Sequence, residues 1–119
     1  MGSVVFNTVM KQYVIDGLRP QDHDRLKTYL DENVQAAGIV GIYWLPLDDS
    51  VLTQVQLKHR DCGPHVFALK LERNCLACEL LVRTRKHIQC DCMAYANQDQ
   101  RNWLMDQTDA ILENLGIRI

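Results

Sequence analysis

From His65 to Ala96 the chain alternates with a period of two through three successive segments, and few folds can use such a pattern. Phe67, Leu69 and Leu71 fall on one side of the first segment. Leu76, Cys78, Leu80 and Val82 do so in the second, and Ile88, Cys90, Cys92 and Ala94 in the third. A helix would scatter these residues around its axis, whereas a strand lines them up on one face. The stretch therefore reads as a three-stranded antiparallel meander. Keeping the apolar face on one side fixes the expected register, because a one-residue slip turns every side chain over. A tight turn at Arg73-Asn74 pairs Leu71 with Leu76, Leu69 with Cys78 and Phe67 with Leu80. A three-residue turn at Thr84-Arg85-Lys86 pairs Val82 with Ile88, Leu80 with Cys90 and Cys78 with Cys92.

Two helices flank this block. Residues 20–36 begin with Pro20, suited to a first helical position, and Asp22 and Asp24 suit the positive end of the dipole. Gly38 follows as a stop, and Leu26, Leu30 and Val34 form the buried stripe. Residues 97–115 open with Asn97 and Gln100 in capping-box spacing and end before Gly116. Strands are expected at 11–16 and at 39–45, the latter stopped by Pro46, while 51–57 suits either a strand or a short capped helix. The sum is one α+β domain over residues 1–119, a two-layer sandwich of a four- to five-stranded antiparallel sheet with two helices on one face.

Composition supports a single packed domain. The chain has 119 residues, 47% of them hydrophobic and 24% charged, which excludes a disordered tail or a fibre. Its longest apolar run, Ile39 to Leu47, falls far short of the roughly 20 residues of a membrane helix, so no membrane partner is expected. The first residues lack a cationic leader, which makes the cytoplasm the expected location and the five cysteines reduced thiols.

Net charge is −2, yet residues 58–96 carry seven Lys/Arg against four Asp/Glu. In a meander, the loop before the first strand lies beside the turn between the second and third. That places Lys58, His59, Arg60 and His65 near Arg83, Arg85, Lys86 and His87, a positive end suited to an anionic small ligand. The scarcity of aromatic residues there argues against nucleic acid. The loop Lys58-His59-Arg60-Asp61-Cys62-Gly63-Pro64-His65 also holds a His-x-x-Cys-x-x-His spacing, which suits a thiolate–imidazole pair or metal ligands.

The remaining cysteines read differently. Cys75 and Cys78, three apart in a strand, point to opposite faces and cannot share one ion. Cys78, Cys90 and Cys92 share the apolar face, which makes them small core residues, so no metal and no cofactor is expected. The opposite sheet face mixes Val66, Ala68, Ala77, Leu81, Met93 and Tyr95 with charges, with Tyr43, Trp44 and Leu45 adding to it, and suits a subunit interface. The expected protein is a self-associating module that binds a protein partner or an anionic ligand through His59, Arg60, Cys62, His65, Arg83 and Arg85. The alternative is a small enzyme or metal-binding protein centred on His59, Cys62 and His65, and a nucleic-acid accessory role comes third. No catalytic residue is assigned, and no nucleotide, protease or hydrolase motif occurs.

Overall fold

The computed structural model describes residues 3–6, 11–85 and 90–118. Among the described residues, eight strand segments form one open antiparallel sheet: β1 (Ser3–Phe6), β2 (Lys11–Ile15), β3 (Gln35–Ala36), β4 (Ile42–Pro46), β5 (His65–Leu71), β6 (Leu76–Glu79), β7 (Leu81–Thr84) and β8 (Ala94–Tyr95). The main path runs β1-β2-β6-β5-β4-β3, and β7 pairs with both β5 and β8. Three α-helices lie among the described residues: α1 (Pro20–Asn33), α2 (Gln54–Lys58) and α3 (Gln98–Asn114). The α+β class is as the sequence indicates, with more and shorter strands than expected. No helix among the described residues is long and apolar enough to cross a membrane.

One sheet face carries the core. Tyr13 and Ile15 of β2, Tyr43 of β4, Phe67, Leu69 and Leu71 of β5, and Leu76 and Cys78 of β6 pack with Leu26 and Leu30 of α1 and Leu104 and Leu112 of α3. Phe67 stacks on Trp103 at 6.3 Å between ring centroids, which ties α3 to the centre of the sheet. Tyr43, expected on the mixed face, is buried in this core and donates its hydroxyl to Asp31 Oδ1 at 2.5 Å. Burial first, then Asp31, pushes its pKa up to about 12.

α1 starts as its sequence indicates. The Asp22 carboxylate accepts from the Arg19 backbone N–H at 3.1 Å and from its Nε at 2.9 Å. It ends three residues earlier than expected, because Gln35 and Ala36 leave the helix to pair with Trp44 and Tyr43. Segment 51–57 resolves as helix α2, capped by Thr53.

The meander is half as expected. Leu71 faces Leu76 and Leu69 faces Cys78. Beyond Cys78 the strand breaks at Leu80, whose N–H donates to the Lys11 carbonyl at 3.0 Å and whose carbonyl accepts from Ala96 N–H at 2.7 Å. There β8 takes over from β2 as neighbour. Val66 then faces Arg83, two residues further along than the first register extends to, so the expected Phe67–Leu80 pair is lost to a bulge.

The third strand needs a larger correction. Val82 faces Ala94 and Leu81 faces Tyr95, not Val82 with Ile88. The described strand is only two residues long, and Cys90 and Cys92 precede it in a turn and pair with neither Leu80 nor Cys78. Lys86, His87 and Ile88 lie outside the described residues. The physical reason is the bulge: with β2 occupying the flank of β6 at Tyr13↔Cys78, the returning chain can pair only beyond Leu80.

Cys78 does behave as the sequence indicates. It is fully buried on the helix side, and burial pushes its thiol pKa up. Replacing it with serine should cost about 1–3 kcal/mol through a buried hydroxyl without a partner. Urea unfolding of Cys78→Ser measures this, and Cys78 should stay unreacted in the native protein while the half-buried Cys75 is alkylated.

Candidate metal centre

Two loops meet at the end of the β5–β7 pair, where His65 faces Thr84. The first leaves α2 at His59 and makes a single 3-10 turn over Arg60–Cys62. Cys62 N–H donates to the His59 carbonyl at 2.9 Å, so residues 59 and 62 stand one turn apart and face the same way. Gly63 closes the turn. A Cβ there would lie 3.0 Å from the Arg60 carbonyl oxygen, so a side chain would push the turn open. The second loop contributes a tight turn at Cys90-Asp91-Cys92, with Met93 N–H on the Cys90 carbonyl at 3.0 Å.

The four side chains converge. The donor atoms of His59, Cys62, Cys90 and Cys92 all lie within 4.8 Å of one another. Cys62 Sγ is 3.6 Å from Cys90 Sγ, and His59 Nδ1 is 3.3 Å from Cys90 Sγ and 3.9 Å from Cys62 Sγ. A tetrahedral zinc ion with bonds of about 2.3 Å to sulfur and about 2.0–2.1 Å to nitrogen has S···S edges of about 3.8 Å and S···N edges of about 3.6 Å. These three separations lie within about 0.3 Å of the tetrahedral edges, and with every pair inside 4.8 Å the four donors can close on one ion by side-chain shifts of about 1 Å or less.

Electrostatics favour a cation as well. The Cys90 thiol is pushed down to about 7 because the backbone N–H of Cys92 points at its sulfur, with the thiols of Cys92 and Cys62 and the His59 ring adding to the effect. Burial and the neighbouring Cys90 push Cys92 up to about 12, and burial pushes Cys62 up as well. Without a metal, Cys90 is thus the readiest of the three thiols to ionise, while Cys62 and Cys92 hold their protons more tightly. A divalent ion is the charge that lets all three ionise.

The cluster is braced from behind. Gln56 Nε2 donates to the Cys92 carbonyl at 3.2 Å, and Gln56 Oε1 accepts from Gln100 Nε2 at 2.8 Å. Gln100 Nε2 also reaches the Val51 carbonyl at 2.9 Å. Both glutamines are 1% exposed, and both are the third residues of capping boxes, opened by Thr53 and Asn97. The starts of α2 and α3 are therefore joined through side chains that also hold the Cys90–Cys92 turn.

Of the residues singled out from the sequence, His59 and Cys62 are in the cluster and four are not. His65 is buried at the start of β5, with no hydrogen-bond partner for Nε2 among the described residues. Burial, then His59, lowers its pKa. Arg60 pairs with Asp49 at 3.3 Å, Arg83 with Glu79 at 2.9 Å, and Arg85 donates to Gln35 at 2.6 Å. The three guanidiniums have separate partners and do not converge. Cys90 and Cys92 are the members that the alternation concealed. The signal for them was a Cys-x-Cys shortly after β7, at the end of the sheet where topology already brought the loops together. No family model, curated protein or solved structure matches this chain.

Proposed function

We propose that this chain is a metal-ordered module in which His59, Cys62, Cys90 and Cys92 bind one zinc ion. The observation that carries the reading is the mutual approach of four donor atoms drawn from two loops 28 residues apart, in near-tetrahedral separations. Three thiolates and an imidazole suit zinc, and four protein ligands leave no open position for a substrate. The ion's role is thus structural: it clamps the Cys90–Cys92 turn to the α2–β5 connection. The set of three thiolates and Zn²⁺ carries one net negative charge, and the basic balance of residues 58–96 offsets it.

The test is stoichiometry and protons together. Elemental analysis should return one zinc per chain, and cobalt substitution should give tetrahedral thiolate absorption. Since only one thiol is substantially ionised near neutral pH in the metal-free site, binding should release about two protons. Calorimetry at pH 7.5 in two buffers of different ionisation enthalpy reads that number. A zinc-free protein that takes up no cobalt would sink the proposal.

A further inference from the structure

The four ligands are unequally protected. Among the thiols, Cys92 is 1% exposed and Cys62 8%, while Cys90 is half-buried. Its sulfur is also the one that touches Cys62 Sγ, at 3.6 Å. Thiolates held by zinc keep a lone pair on sulfur and remain nucleophiles. Half-burial leaves the Cys90 sulfur open to a small reactant. We infer that Cys90 is a modification site for small hydroperoxides and that Cys62 closes on it as a disulfide, expelling the metal. This rests on the metal reading for what is expelled but not for the pairing of the sulfurs.

The chemistry balances in two steps. The Cys90 sulfur attacks the terminal peroxide oxygen, the O–O bond breaks, and with one proton the products are Cys90 sulfenic acid and an alcohol, or water from hydrogen peroxide. The Cys62 thiolate then attacks the sulfenic sulfur, forming the S–S bond and releasing hydroxide. Two electrons pass from the sulfur pair to the peroxide. The ion loses two of its four ligands and leaves, and a dithiol reductant reverses the change.

Geometry selects the partner. Joining Cys62 to Cys90 brings together two sulfurs already in contact, from 3.6 Å to about 2.05 Å. Joining Cys90 to Cys92 would instead rebuild a turn held by the Met93 N–H bond to the Cys90 carbonyl and by Gln56 on the Cys92 carbonyl. Cys75 lies apart, with its thiol on Glu72 Oε2 at 3.4 Å.

The experiment treats zinc-loaded and zinc-free protein with hydrogen peroxide, follows released zinc with a chromogenic chelator, and maps disulfides by peptide mass spectrometry. The expected result is one zinc released per Cys62–Cys90 disulfide, restored by dithiothreitol, with Cys75→Ser releasing zinc at the wild-type rate. A Cys62–Cys90 disulfide in a protein that binds no zinc would leave this pairing standing while the metal reading fails. Retention of zinc without that disulfide would overturn the inference and leave the metal reading intact. A Cys90–Cys92 disulfide, or release abolished by Cys75→Ser, would also overturn it.

Discussion

Stripping the metal should lower the melting temperature by roughly 15 °C without abolishing the fold. A ligand at about 1,000 times its dissociation constant that binds only the native state contributes about 4 kcal/mol. Unfolding entropy near the midpoint is about 2.1 cal/mol/K per residue, so over 119 residues this shift follows. The fold survives because the core of β2, β4, β5, β6, α1 and α3 contains none of the four ligands. Losses should concentrate where the ion clamps the chain: amides around Cys62, Cys92 and the α3 N-terminus should exchange faster, while those of β5 stay protected. Scanning calorimetry and hydrogen exchange before and after a strong chelator check this. Coincident melts would contradict it.

Much of the fold is legible in the sequence because its signals are local. Pro20 and Asp22 announce α1, and Asn97 with Gln100 announces α3 through a capping box that the structure contains. The pairing of Leu69 with Cys78 follows from a tight turn and an apolar face kept on one side, both short-range facts. The third strand was not legible, because periodicity does not say which neighbour a strand will find. The alternation from Ile88 to Ala94 fits a strand, but β2 already occupies the flank of β6 that the strand would need. That is a long-range competition, decided by a segment more than sixty residues earlier.

The site shows the same division. Topology alone brings the 58–65 loop to the end of β7, and the structure places both loops there. What that end contains was hidden by one assumption, that alternation continues past Arg85. Under it Cys90 and Cys92 point into the core, and the neighbouring arginines look like the chemistry. With the strand shortened to Ala94–Tyr95 the thiols turn toward His59 and Cys62, and the arginines become locally paired surface groups. Expecting no metal followed from that strand, so the premise goes with it.

Gln56→Ala should be among the most damaging substitutions outside the ligands themselves. The side chain is 1% exposed and serves three partners: it donates to the Cys92 carbonyl, and it accepts from Gln100 Nε2 and from the Thr53 backbone N–H at 3.0 Å. Its removal takes away one arm of the α2 capping box, while Thr53 Oγ1 keeps the residue-56 backbone N–H at 3.2 Å, and leaves buried polar groups on three segments without that bond, at a cost of about 2–5 kcal/mol. Gln100 keeps the Val51 carbonyl and the Asn97 N–H, at 2.9 and 3.2 Å, so the loss centres on the Cys92 turn. Groups that orient a metal ligand through one hydrogen bond typically govern about 10–100-fold in affinity. Zinc affinity, read by competition with a chromogenic chelator, should therefore fall by about that factor. Glu at position 56 would separate the two roles. Its carboxylate still accepts from Gln100 and Thr53 but cannot donate to the Cys92 carbonyl, so Gln56→Glu should keep more of the helix stability and still bind zinc weakly. Equal affinities for wild type and Gln56→Glu would show that the Cys92 carbonyl needs no donor and that the turn is held by the metal alone.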